Sequence, residues 1–405
     1  MKILHTADWH LGKRLGEYSR LEEQQQVLKE ICDIADQEAV DAVLIAGDLF
    51  DTFNPSNEAS ELFYKTVHRL SARGTRAVIA IAGNHDSPDR IEAPDPLARE
   101  CGIILVGRPS TVIPSVKTEG GIEGLRAEPG FVELQLPHYP YPLRLLLTPY
   151  ASETTLKKYL GDNDRDQELR NLLQYDWQRL ADTYCDEQGV NLLMAHLYFM
   201  PRHGAAPEEP DDEKPILHLG GASAIFTEDI PAAVQYAALG HLHRYQTVAR
   251  QPCPVCYSSS PLAYSFSEAQ QQKHVVVVEV TPGQEAHVRT VPLRAGRALH
   301  RQRFDSTEEA LQWLRDHPHT FVELTLVSDS YLEGDIKRSL YETHDGIVSI
   351  IPEIAREAGE AVSTNIDLSK DLRSLFSDYF RQRKGQDPNE DLLALFDEVI
   401  GTEPD

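Results

Sequence analysis

No stretch of this 405-residue chain approaches the ~18 consecutive apolar residues that a bilayer-spanning helix requires. The opening residues, Met1-Lys2-Ile3-Leu4-His5-Thr6-Ala7-Asp8, place His5 and Asp8 where a secretory signal would be apolar. These two absences lead to the expectation of a cytoplasmic protein with no membrane contact. Cysteine is scarce: Cys32, Cys101, Cys185, Cys253 and Cys256 are odd in number and widely scattered, which excludes a disulfide framework. Cys253 and Cys256 form a CxxC, but no second pair completes a zinc site. A structural role is expected for them, with redox or metal chemistry as the alternative. Positive charge is short as well. Lys and Arg number 39 against 64 Asp and Glu, for a formal net charge of -25. That balance argues against a free-standing module that grips nucleic acid tightly, since phosphate binding draws on Lys and Arg. It leaves room for a nuclease whose cations or partner supply the positive field. No internal repeat or low-complexity tract is present.

What is there reads as a large α/β unit followed by smaller ones. Ile3 to His5, Asp41 to Ala46 and Thr75 to Ala82 have strand character, and Leu21 to Asp36 and Glu58 to Ala72 have helical spacing. The alternation predicts a layered α/β domain. Its strands are apolar nearly throughout, as strands covered on both faces are. Phe131 to Leu136 and Leu143 to Thr148 are predicted strands around a Pro-rich turn. A helix over Gln167 to Glu187 and strands at Val190 to Ala195 and Val234 to Leu239 follow, with a solvated acidic loop, Glu208 to Glu213, between the last two. From residue 296 to 352 the pattern restarts as a small α+β unit, and 353 to 366 reads as a linker. Residues 367 to 405 hold two amphipathic helices. Leu368, Leu372, Leu375, Phe376 and Tyr379 line one, and Leu392, Leu395, Phe396 and Val399 the other.

Five short motifs carry chemistry: Asp8-Trp9-His10, Gly47-Asp48, Gly83-Asn84-His85-Asp86, a lone His196, and Gly240-His241-Leu242-His243. Each follows an apolar strand. In open α/β sheets ligands bind beyond the carboxyl ends of the strands, so five strands are expected to deliver these side chains to one edge of a sheet. Taken singly the motifs are weak, and His196 alone is more often a core histidine than a ligand. In order, each at a strand end, they point to a metal centre. Imidazole and carboxylate suit Mn, Fe and Zn, and an Asp can bridge two cations through its two oxygens. The glycines before Asp48, Asn84 and His241 suit tight turns at strand ends.

This ordered set resembles the calcineurin-like metallophosphoesterase superfamily. More closely, Ile3 to Gly12 and Ala46 to Asp51 resemble the SbcD nuclease family, as do Ala238 to His243 and Ser259 to Phe266. The likeness covers the chain to about residue 295 with specific motifs, and beyond that it rests on architecture. It implies a layered phosphoesterase sandwich with a small α+β capping domain and a C-terminal helical pair. It implies two divalent cations, generally manganese. Asp8, His10 and His243 would hold the first, Asn84, His196 and His241 the second, and Asp48 would bridge them. His85 would help the leaving oxygen depart, and Asp86 would orient the His85 imidazole. The implied activity is 3′-5′ exonuclease and single-strand or hairpin endonuclease cleavage of DNA. The implied partner is an SbcC-type ATPase whose coiled coil the tail helices grip, in a heterotetramer containing a homodimer of this chain.

Lys13, Arg14, Arg20 and Arg90 follow metal motifs and are candidates to meet DNA phosphates, or else form a solvated basic surface. Two other readings stay open at this point. One is a different phosphodiesterase or phosphatase on the same centre, acting on a small ester or a phosphoprotein. The other is a non-catalytic scaffold, against which all seven filled donor positions speak.

Overall fold

The structure is a computed structural model, and it describes residues 1–156, 165–208, 224–328, 334–354 and 372–384, with 388, 392, 393 and 396. Two compact units divide the chain: Met1–Arg301 with His319–Val322, and Gln302–Pro318 with Glu323–Asp405.

The first unit contains two large sheets. The first sheet has six strands, in the order His287–Pro292, His274–Glu279, Lys2–Thr6, Ala42–Ala46, Ala77–Ile81, Ile103–Val106. Lys2–Thr6 through Ile103–Val106 run parallel, and His274–Glu279 and His287–Pro292 add antiparallel edges. The second sheet has seven strands, in the order Gln246–Ala249, Val255–Tyr257, Tyr236–Gly240, Val190–His196, Leu143–Thr148, Phe131–Gln135, Glu123–Glu128. Its four central strands are parallel, from Leu143–Thr148 to Val255–Tyr257.

Alternation along each strand sorts its side chains into separate cores. Leu44, Ala46, Ile79 and Ile81 of the first sheet meet Leu145, Leu147, Leu192 and Met194 of the second in a core between the sheets. Val43, Ile45, Val78 and Ala80 point the other way, onto helices Leu21–Gln37 and Asn57–Leu70. Leu146, Leu193 and Ala237 pack against helix Arg165–Tyr184. The result is four layers, helix, sheet, sheet and helix. Polar contacts cross the central layer too: His5 accepts from the Tyr236 hydroxyl through Nδ1 (2.8 Å) and donates from Nε2 to the Leu239 carbonyl (3.1 Å). Burial holds this imidazole neutral, lowering its pKa to about 3.

The helices form for local reasons. Val27, Leu28, Ile31, Cys32 and Ala35 make one buried stripe on Leu21–Gln37, and Glu22 and Glu23 sit in its first turn, where the helix dipole favours negative charge. Ser56 caps Asn57–Leu70 by accepting from the Ala59 N–H at 3.2 Å.

The expected single sheet edge is corrected here. The five motif-bearing strands belong to two sheets: Lys2–Thr6, Ala42–Ala46 and Ala77–Ile81 to one, Val190–His196 and Tyr236–Gly240 to the other. Apolarity on both faces does not distinguish a strand covered by two helix layers from one covered by a helix and a second sheet.

A three-stranded sheet, Leu299–Phe304, Phe321–Ser328 and Ile347–Ile354, follows along the chain, and the second unit holds its third strand with helices Thr307–Asp316, Gly334–Thr343 and Leu372–Lys384. The first division between the units falls inside strand Leu299–Phe304, after Arg301. Strand Ile347–Ile354 also runs into the stretch read as a linker, most of which lies outside the described residues. In the tail, Leu375, Phe376, Leu392 and Phe396 are half-buried, and the rings of Phe376 and Phe396 stack at 4.0 Å. Tyr379 is 52% exposed. Leu372 opens the helix, while Leu368, Leu395 and Val399 lie outside the described residues, as does the acidic loop beyond Glu208.

Candidate metal centre

Loops from both sheets meet at the carboxyl ends of their strands. The first two are joined side by side: the Asp8 N–H donates to the Gly47 carbonyl, and the His10 N–H to the Asp48 carbonyl, both at 2.9 Å. Asp8, His10, Asp48 and His241 all take positive φ, at 55°, 44°, 49° and 112°. For side chains with a Cβ this region costs roughly 1–2 kcal/mol each, and such strain gathers at functional sites.

Three donor groups result among the described residues: His10, Asp51 and His85 make one, and the other two hold the predicted ligands. Asp8, His10 and His243 each offer a ligand atom within 4.8 Å of the others, and so do Asp48, His196 and His241. Asp48 lies between these two groups, its Oδ2 3.5 Å from His10 Nε2 and 3.4 Å from His196 Nε2. Asn84 Oδ1 joins the second group, 3.1 Å from His196 Nε2 and 3.0 Å from His241 Nδ1. All seven sequence-predicted donors are therefore brought together.

Each donor is aimed by a partner behind it. His196 Nδ1 donates to the Ala46 carbonyl at 2.8 Å, which turns Nε2 toward Asp48 and Asn84. Asp8 Oδ1 accepts from the His241 N–H at 2.9 Å, while its buried Oδ2 has no hydrogen-bond partner. His10 Nε2 faces His243 Nε2 at 3.0 Å. Asp48 Oδ1 accepts from the His85 N–H at 2.9 Å.

The electrostatics match a site built for cations. Burial raises the Asp8 carboxyl to about 6. Burial opposes the charge on Asp48 too, yet His196 and His10 hold it well below the usual carboxylate range. Burial would lower His196, but the Asp48 carboxylate raises it to about 9. Burial holds His10 at about 4, in the neutral form that a metal needs. An orphaned buried carboxylate oxygen, opposed imidazole nitrogens and an all-oxygen-and-nitrogen donor set fit two divalent cations.

Three expectations change. Asp86 does not touch the His85 ring. Its carboxylate accepts the N–H groups of Gly83, Leu49 and Phe50 at 2.8, 3.0 and 2.9 Å, and so ties the Asn84 loop to the Asp48 loop. His85 Nδ1 instead donates to the Asp51 carbonyl at 2.9 Å. Arg20 is not a phosphate contact: it is 0% exposed, paired with Glu23, and donates to the Ala263 carbonyl. A basic residue after a metal motif is read as surface unless its partner, here one helical turn on, is weighed. Lys13 is half-buried and pairs with Asp51 at 2.8 Å, while Arg14 and Arg90 are exposed. Finally, Gly83 and Gly240 do not have positive φ. They are needed because a Cβ at Gly83 would overlap the Asp48 carboxylate and nitrogen, and one at Gly240 the Ala46 carbonyl. Sequence reasoning assigned no role to Asp51, Tyr264 or Glu268. Tyr264 bonds the Trp9 carbonyl, and Glu268 bonds His243. Cys253 and Cys256 are buried free thiols and join none of these donor groups.

The calcineurin-like phosphoesterase family model matches residues 1–245. The chain is 36% identical to the SbcD component of the SbcCD nuclease of Bacillus subtilis, covering 98% of this chain and 97% of that protein. It is 32% identical to the component of the same name from Rhodobacter capsulatus, over 72% of this chain and 69% of that one. The Escherichia coli K12 counterpart is 29% identical over 84% and 81%. The chain belongs to the SbcD family of calcineurin-like phosphoesterases. Proteins of this family work with divalent metals, and this member is a metal-dependent phosphodiesterase.

The packing at Gly83 yields a test. Gly83→Ala should displace the Asp48 carboxylate and lower phosphodiesterase turnover by about 10²-fold, the loss that a misplacement near 1 Å can cause, with an unchanged far-ultraviolet circular dichroism spectrum. Wild-type turnover in this variant would contradict the geometry.

Proposed function

We infer that this chain is the nuclease subunit of an SbcCD-type complex, cutting DNA ends, single strands and hairpins during repair and recombination. The observation that carries the reading is the convergence of seven donors, six of them around Asp48. The names of the relatives, each the SbcD component of an SbcCD nuclease, support DNA as substrate. Manganese is the proposed metal, because the donors are carboxylate, amide and imidazole with no thiolate.

Two bound cations would supply Lewis-acid charge and lower the pKa of a bound water toward ~7. The chain's own residues do the rest. Asp8, His10 and His243 form one pocket of donors, Asn84, His196 and His241 the other, and Asp48 spans both. His85 stands over the first group, its ring edge-to-face with His10 at 4.9 Å. His85 donates its Nδ1–H to the Asp51 carbonyl, which fixes the ring, and in the imidazolium form the second proton, on Nε2, is the one it would give to the departing 3′-oxygen. Asp86 acts through the backbone, holding the Asp48 and Asn84 loops in register.

Lys13, Arg14 and Arg90 are proposed phosphate contacts. Their small number and the net charge of -25 assign most of the DNA-gripping surface to a partner. That partner is proposed to be the SbcC-type ATPase, with the tail from residue 367 docking on its coiled coil. Five free cysteines fit a reducing compartment, and the cytoplasm is the proposed location.

Two variants test the centre. Asp48→Ala should lose cations and activity together. His85→Ala should keep both cations by calorimetry yet lose about 10²–10⁴ of turnover on DNA, the usual share of general acid catalysis. Full activity on DNA in His85→Ala would refute the acid role, and activity on a small ester with none on DNA would refute the nuclease reading. Removal of residues 366–405 should abolish binding of the ATPase while sparing manganese-dependent cleavage of single-stranded DNA. Retained binding would overturn the docking assignment.

A further inference from the structure

Behind His243 lies an ion pair that none of the five motifs contains. Glu268 is 1% exposed and Lys273 6%. The Lys273 ammonium donates to Glu268 Oε2, to Ser260 Oγ at 3.0 Å and to the His243 carbonyl at 2.8 Å. Glu268 Oε1 accepts from His243 Nδ1 at 3.4 Å and from the Tyr264 N–H at 3.1 Å. The pair therefore holds His243 at both ends, ring and backbone.

A buried ion pair is weak evidence for stability, because desolvating both charges commonly cancels their attraction. Its contacts suggest another use. A carboxylate behind a ligating imidazole fixes which nitrogen carries the proton and makes the other a better donor. With its Nδ1–H donating to Glu268, a neutral His243 presents an unprotonated Nε2, and this is the atom 3.0 Å from His10 Nε2. His196 has no such support: it leans on a neutral carbonyl, that of Ala46. Behind His10 a looser version stands, with Asp51 Oδ1 3.6 Å from Nδ1 and itself paired with Lys13 at 2.8 Å. Lys273 cancels the charge of Glu268, so the carboxylate orients His243 without adding net negative charge beside Asp8 and Asp48.

We propose that Glu268 and Lys273 are a positioning pair for His243 that sets the affinity of the first cation site, Asp8–His10–His243, and leaves the second site untouched. This rests on the two-cation reading above.

Calorimetric titration of the full chain with Mn2+ tests it. The wild type should bind two ions. Glu268→Gln should weaken one by about 10–100-fold, the range for lost ligand-supporting contacts, and keep the other at wild-type affinity. Because Glu268→Gln leaves the Lys273 ammonium buried without a counter-charge, the double variant Glu268→Gln/Lys273→Met is measured beside it, together with metal-free melting temperatures. One weakened site and one intact site in the double variant, with an unchanged metal-free melting temperature, supports the proposal. Two sites of wild-type affinity, or equal weakening of both with a lowered metal-free melting temperature, overturns it. Fewer than two ions on the wild type would sink the two-cation reading itself, and so is distinguishable from failure of this inference alone.

Discussion

The structure depends on holding imidazole and carboxylate donor atoms face to face. Nε2 of His10 and of His243 stand 3.0 Å apart, and Asp8 Oδ2 is buried beside them with no hydrogen-bond partner. Left alone, such groups would take up protons or turn away, as unpaired polar atoms do in a dry interior. The fold prevents turning. Left-handed backbone at Asp8, His10, Asp48 and His241 fixes where each side chain leaves the chain, and hydrogen bonds from behind fix its rotation. Protons are the remaining remedy, and the high pKa of His196, about 9, shows where the cluster would take one in place of a metal.

Rigidity of this kind needs a frame larger than a loop. Three of the motif strands are locked in register in the first sheet, two in the second, and an apolar core lies between them. Asp86 and the paired Asp8 and Asp48 loops then join the strand ends to one another. The donors of each cation group come from both sheets: Asp8 and His10 meet His243, and Asp48 meets His196 and His241. The centre and the seam between the sheets are thus a single construction, and loosening the seam would open both cation positions.

Much of this is legible in the residues. Apolar runs ending in Asp, Asn or His mark the motif strands, and the donor types name a metal centre. What escapes a reading of the sequence is relational. Nothing in the run Val190 to His196 says that its inner face meets a sheet and its outer face a helix. Asp86 beside His85 in sequence suggests a side-chain pair, yet successive residues in a turn point apart, and Asp86 turns to three backbone N–H groups instead. Arg20 finds Glu23 within its own helical start and leaves the surface. Glu268 reaches His243 from 25 residues away, a separation that carries no periodic signal. The likeness to SbcD nucleases fills the ligand set, whereas the supporting contacts behind the ligands emerge only from the folded chain.

The central claim is that seven side chains from two sheets form one dinuclear site bridged by Asp48. Anomalous diffraction from crystals grown with Mn2+ tests it most directly. Two peaks ~3.5–4 Å apart, the spacing of two-metal phosphoryl-transfer sites, are expected, with Asp48 between them, His10 and His243 on one side and His196 and His241 on the other. A single peak, or peaks that leave Asp48 uncoordinated, would contradict the account.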